Sequence, residues 1–282
     1  MSGTLSRSGV GDLPAPLAIG WMQPLTWLAL AWKDMARAPW LSVAHGLAVA
    51  GCGAVVVALG HDRFWWLAGA LSGFLVVGPV VATSFYAISR ALERGEPANW
   101  ALVRRTWQRW RQGAQSGQDY WCMVQFGALL ALSAAGWMVV SASLITLMAP
   151  VRIATPMDFA VHVVLAADST LFHLWLALGS VLAAPIFASS VVSMPLLLDR
   201  KVSLPQSVLT SWLVILQNPV PMAVWAGLIL MFTLLGLASL LLGLVLIMPM
   251  QGHASWHAYR DLVDASGFAP REGEAEPGSG VN

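Results

Sequence analysis

Pro219–Trp256 reads PVPMAVWAGLILMFTLLGLASLLLGLVLIMPMQGHASW, 38 residues without an Asp, Glu, Lys or Arg. At about 1.5 Å per residue, one straight helix of that length runs about 57 Å. The hydrocarbon core of a bilayer is only about 30 Å thick, so one crossing does not absorb the stretch. Two crossings of roughly 18 residues each do. The small residues in Gly236-Leu237-Ala238-Ser239 are where the chain is expected to turn between them.

The same reading extends upstream. Leu41–Gly60 is an apolar run that ends in His61-Asp62-Arg63, and Phe64–Ile88 returns from that charged turn. Tyr120–Ala149 and Leu171–Leu198 follow, the second closed by Asp199-Arg200-Lys201. Composition agrees: 57% of residues are hydrophobic and 10% charged, with a mean hydropathy of +0.69, whereas soluble domains carry about 25% charged residues. The expected fold class is all-α, a polytopic helical membrane protein of about six transmembrane helices, arranged as three hairpins with interfacial helices between them. Residues 24–262 make up that transmembrane domain, and residues 1–23 and 263–282, rich in Gly, Ser, Pro and Glu, read as disordered tails. The first twenty residues lack the continuous apolar core of a cleaved signal. Cys52 and Cys122 lie in apolar runs with no CxxC and read as buried thiols.

Charge sets the orientation. In the six-span reading, thirteen of the 15 Lys and Arg residues fall on one side, and Arg63 and Arg152 alone fall on the other. Positive charge stays on the cytoplasmic side, which places both termini in the cytoplasm. Fifteen tryptophans, several near predicted span ends such as Trp40, Trp65, Trp66, Trp121 and Trp256, suit the headgroup level. The net charge of +1 gives no basic surplus for a nucleic acid.

The chain repeats itself. Amphipathic stretches 24–38, 98–112 and 203–217 each precede an odd-numbered span; Trp32 lies seven residues before Pro39, and Trp212 seven before Pro219. Pro79 and Pro249 each lie 11 residues before an arginine, Arg90 and Arg260. This suggests three units, each an interfacial helix followed by a hairpin.

Three segments carry a resemblance: Gly73–Pro79 with Ile88–Glu96 (ISRALERGE), Ser190–Arg200 (SVVSMPLLLDR) and Gly252–Leu262 (GHASWHAYRDL). Together they resemble an uncharacterised family of bacterial integral membrane proteins, domain of unknown function 2189, over roughly residues 25–262. The resemblance implies an inner-membrane location and says nothing of chemistry.

Candidate sites are few. His253 and His257 are four apart and share one helical face, a spacing that can hold a metal. His45 is expected at similar depth as a third ligand, so a metal or haem is the one cofactor the sequence raises, against interfacial histidines bound to backbone, lipid phosphate or water. Arg104, Arg105, Arg109 and Arg111 interleave with Trp107 and Trp110, a lipid-facing basic segment suited to anionic headgroups. Prolines at 79, 185, 195 and 249 interrupt even-numbered spans; they kink helices for packing, with Gly46, Gly51, Gly53, Gly69 and Gly73 as contact points, or else line a cavity. The spans hold no acid or base of the kind that marks ion pathways, and no catalytic motif stands out. The expected function is a non-enzymatic inner-membrane protein that organises or assists another membrane component, with the bilayer and another membrane protein as partners. A passive or lipid-like transporter and a histidine-based metal or haem protein are the alternatives.

Overall fold

The computed structural model describes residues 13–76, 78–116, 121–168 and 170–271. Residues 1–12 and 272–282 of the expected tails lie outside the described residues, as do Tyr120 and the side chain of Trp110. The described chain is helical: α1 (Gln23–Arg37), α2 (Pro39–Gly60), α3 (Phe64–Val76), α4 (Gly78–Val81), α5 (Thr83–Glu93), α6 (Trp100–Ser116) and α7 (Trp121–Met148) form its first half. The second half holds α8 (Pro156–Phe159), a π-helical turn Ala160–Val164, α9 (Thr170–Ser190), α10 (Ser193–Asp199), α11 (Leu204–Gln217), α12 (Pro219–Ala238) and α13 (Leu244–Leu262). Among the described residues, four stretches are long and apolar enough to cross a bilayer: Pro39–Gly60, Trp121–Met148, Thr170–Asp199 and Pro219–Ala238.

The apolar stretch of 219–256 does divide in two. The turn falls at residues 239–243, slightly later than expected, and places Leu240 and Leu241 in the left-handed region. Gly236 serves another purpose: a Cβ there would stand 2.4 Å from Leu244 Cδ2, so the missing side chain lets the start of α13 close on α12. The expected second span, Phe64–Ile88, is not one helix. It runs as α3, α4 and α5, with Gly78 and Pro79 opening α4 and a further break at Ala82. The fourth is broken at Val191-Val192 between α9 and α10. Ala82, Val191 and Val192 are all buried in the main apolar core, so these breaks are packed by protein.

Two ends are distinct. At one, Phe64, Ile145, Ile153, Val163 and Leu171 form a small apolar cluster, and Phe64 N–H donates to Ala154 O at 3.0 Å. At the other lie the charged ends of α1, α5, α10 and α13. The inner parts of both expected tails are bound here rather than loose. Ala15–Pro16 pairs antiparallel with Val263–Asp264. Asn218 accepts from Ile19 N–H at 2.9 Å and donates to Leu17 O at 2.9 Å. Arg271 is buried and donates to the carbonyls of Leu197, at the end of α10, and of Arg200 and Val202 just beyond it. The domain boundaries expected at 23 and 263 therefore fall inside packed structure. Cys52 also departs from its expected burial: it is exposed on the outer face of α2.

Glycine contacts sort cleanly. Added Cβ atoms would meet Val245 O at Gly46, Leu241 Cδ1 at Gly53 and Met138 Cε at Gly69, whereas Gly51 and Gly73 face open space. Gly46 therefore lets α2 approach the backbone of α13 at Val245.

Candidate functional site

The amphipathic helix α1 buries Trp27, Ala31, Asp34 and Met35, a stripe at helical spacing that faces α13. One member of that stripe is a carboxylate. Asp34 is 4% exposed, and a buried carboxylate is costly unless paired and hydrogen-bonded. His257 Nε2 stands 2.8 Å from its Oδ2, and Ser89, from the buried α5, donates its hydroxyl hydrogen to the same oxygen at 2.7 Å. One turn earlier on α13, His253 is fully buried; its Nδ1 lies 2.7 Å from Ser89 Oγ and its Nε2 3.1 Å from Ser42 Oγ on α2. Ser89 has spent its single hydrogen on Asp34, so it accepts from His253 Nδ1–H, while the Ser42 hydroxyl is shared between Ala38 O at 3.0 Å and His253 Nε2. Burial acts to raise the Asp34 pKa. The hydrogen bonds from His257 and Ser89, helped by the nearby imidazoles, outweigh it and hold the carboxyl below its ordinary value.

The order Ser42, His253, Ser89, Asp34 has the outline of a nucleophile–base relay. Ser42 and His253 are 0% exposed, so no substrate reaches the Ser42 hydroxyl in this arrangement, and Ser89, which borders the cleft, has its hydrogen on Asp34. The relay holds α1, α2, α5 and α13 in register. His45, the expected third ligand, is elsewhere in bonding: its Nδ1 pairs with Leu41 O at 2.7 Å, and its ring stacks on Trp100 at 5.6 Å. Among the described residues no three His, Cys, Asp or Glu side chains stand grouped to hold a metal. The physical reason is plain at His253, whose two ring nitrogens both face serine hydroxyls. His253 and His257 do share one face, as their spacing predicts.

A cleft of about 410 Å³ opens beside Asp34 and His257, lined also by Lys33, Arg37, Glu93 and Arg260. Glu93 accepts from Trp256 Nε1 at 2.8 Å and from Arg260 Nε at 3.0 Å. Asp261 accepts from Gln23 and Trp27, each at 2.7 Å. A second cluster lies behind it, around the buried Asp199: Tyr259 donates at 2.8 Å, Arg200 at 3.0 Å and Arg94 at 3.3 Å, while Arg90 caps Leu198 O at 3.0 Å. The three segments that carried the resemblance therefore meet in space, α5 and its C-cap supplying Ser89 to Arg94, α10 Asp199 and α13 His253 to Arg260.

The amphipathic helices close a ring of seams. On α6, Trp107 Nε1–H donates to Ser84 at 2.8 Å; on α11, Trp212 Nε1–H donates to Ser189 at 3.0 Å, and both pairs are 23 residues apart. At the third seam α1 packs on α13, and the Trp–Ser clasp is replaced by Asp34, His257 and the cleft. Arg104, Arg105, Arg109 and Arg111 sit on the exposed side of α6, whose Leu102, Val103 and Thr106 are buried.

The stretch from α3 to α10 matches a family profile. Over residues 67–199 the chain matches the model of a family described as predicted integral membrane proteins (DUF2189). No curated protein and no solved structure matches the chain. The DUF2189 match is shorter than the resemblance read from the sequence: it contains Ser89, Glu93, Arg94 and Asp199, while Asp34, His253 and His257 lie beyond it on α1 and α13. Together with the four apolar helices, the match makes this a transmembrane protein. Asp34 and Ser89 were not among the expected site residues. The available signal was Asp34 itself, the one acid on the stripe Trp27, Ala31, Asp34.

Proposed function

We propose that this is a non-catalytic multi-pass protein of a bacterial inner membrane that organises or assists another membrane component, docking it in the cleft between α1, α5 and α13. The observation that carries the reading is the third seam. Where the other two amphipathic helices are clasped by a Trp–Ser bond, this one opens a polar cleft whose acids are hydrogen-bonded to protein donors and behind which Ser42 and His253 are buried.

Topology supports the placement. The helices alternate in three units, α1 to α5, α6 to α10 and α11 to α13, which fits six passages in three hairpins with both ends of the chain on one side. That side holds the cations of α1, α5, α6 and α13 and Arg200 and Lys201 after α10, and the positive-inside rule makes it cytoplasmic. Trp32, Trp40 and Trp100 are exposed near the cleft, as side chains at headgroup level are. The exposed arginines of α6 suit anionic lipid at the same leaflet. Passive transport has less support, because the helix breaks at Ala82 and Val191-Val192 are packed in the core and Pro195 and Pro249 are buried.

Photocrosslinking in native membranes tests the docking role. A photoreactive amino acid at Trp32, beside the cleft, is expected to give a reproducible adduct, protein or lipid, that the same group at the lipid-facing Val57 does not give. Identical patterns from the two positions would count against a docking site.

A further inference from the structure

We propose that the cleft binds a phosphate group, presented by a phospholipid headgroup of the cytoplasmic leaflet, on Lys33 and Arg37 of α1 with Arg260 of α13 opposite them. This deepens the docking reading and rests on it. Lys33 and Arg37 are four residues apart and lie on one helical face. Both line the cleft and are exposed, and among the described residues neither makes an ion pair.

None of the carboxylates that share the cleft pairs directly with them. Asp34 is held by Ser89 and His257, Glu93 by Trp256 and Arg260, and Asp261 by Gln23 and Trp27. Each acid is turned to donors other than Lys33 and Arg37, so among the described residues neither α1 cation is ion-paired, although Asp34 and Asp261 keep their charge beside the cleft. Arg260 spends Nε on Glu93 and keeps its terminal nitrogens for a further acceptor. Guanidinium and ammonium groups around one acceptor are what a phosphate takes. The volume, about 410 Å³, is in the range of small-ligand sites.

Depth selects the source of the phosphate. Trp32 adjoins Lys33, and Trp40 is 82% exposed just past the end of α1. Exposed indoles at a span boundary sit among headgroups, so the anion present at the highest local concentration there is the phosphodiester of a lipid.

The test uses the full chain in detergent micelles, titrated with dioctanoyl phosphatidylglycerol and followed by tryptophan fluorescence. Dioctanoylglycerol, with the same chains and no phosphate, and inorganic phosphate are titrated in parallel. The proposal expects saturable binding of phosphatidylglycerol alone. It also expects binding at least about tenfold weaker in Lys33→Ala/Arg37→Ala, since two charge-assisted hydrogen bonds are removed, and largely retained in Lys33→Arg/Arg37→Lys. Both pairs are exposed, and thermal melts are expected to match the parent. Equal binding by the alanine variant, or saturation by dioctanoylglycerol, overturns the phosphate site. Saturation by inorganic phosphate at the same concentration overturns the headgroup assignment in favour of a soluble phosphate. A Trp32 crosslink that persists while the phosphatidylglycerol titration is flat leaves the docking role standing and removes its phosphate chemistry.

Discussion

Asp34 and His257 are 223 positions apart in the chain and 2.8 Å apart at Oδ2 and Nε2. The contact ties the first helix of the described chain to the last. Ser89 joins it from α5, so one buried carboxylate draws together segments that no local pattern links. Breaking a buried pair by removing one partner costs about 3–5 kcal/mol, because the other group stays buried and unpaired. Asp34→Ala is accordingly expected to lower the melting temperature in detergent more than any exposed charge deletion, such as Arg104→Ala. Asp34→Ala and His257→Ala are expected to be non-additive, with a coupling of about 1–3 kcal/mol in a double-mutant cycle. Additive losses would mean that the two residues stabilise the fold separately.

Acid should loosen the same seam. The folded-state pKa of Asp34 lies below its ordinary value of 3.8, so the unfolded chain binds the proton more readily. Its contribution to stability is fully present above that ordinary value and is lost as pH falls through the folded value. The melting-temperature gap between the parent and Asp34→Asn is expected to be constant above about pH 5 and to shrink below about pH 4. A gap that widens on acidification would contradict the sign.

Close packing of α2 on α13 gives a matched pair of variants. A Cβ at Gly46 would lie 2.0 Å from the backbone oxygen of Val245, which has no side-chain freedom to move aside, while one at Gly51 meets nothing within 4 Å. Gly46→Ala is expected to destabilise by about 1–3 kcal/mol, and Gly51→Ala to be neutral or slightly stabilising through helix propensity. Thermal melts of the two in the same detergent check this, and equal effects would place the helices differently.

Arg271 anchors the C-terminal segment by donating to three carbonyls near the end of α10. Arg271→Ala leaves buried acceptors unsatisfied, at about 1–3 kcal/mol. Limited proteolysis is expected to cut the variant between Val263 and Arg271 at protease levels that leave the parent intact. Unchanged cleavage would mean the strand pairing at Ala15–Pro16 suffices to hold the segment.

Much of the scaffold was legible because apolar length is a one-dimensional property. Pro39 and Pro219 open α2 and α12 where their missing N–H costs little, and 38 apolar residues had to divide. The candidate site was legible only in part. His253 and His257 stood out through spacing, but their partners are serines and an aspartate on three other helices, and helix-to-helix pairing leaves no trace at fixed spacing. A lone Asp34 between Lys33 and Arg37 reads as a solvated charge until its stripe with Trp27 and Ala31 is counted. The bound stretches 13–22 and 263–271 were misread because Pro- and Gly-rich composition suggests disorder, whereas here Asn218 and Arg271 supply the bonds that order them.

The account depends most on the cation-rich end, with its cleft, facing the cytoplasm. Cysteine accessibility measures this directly: in a background with Cys52 and Cys122 replaced by alanine, Lys33→Cys and Asp62→Cys are treated in intact spheroplasts with a membrane-impermeant maleimide. The account predicts labelling at position 62 in intact spheroplasts and at position 33 only after the membrane is opened. Labelling at position 33 from outside would contradict it, and with it both the docking site and the headgroup it is proposed to hold.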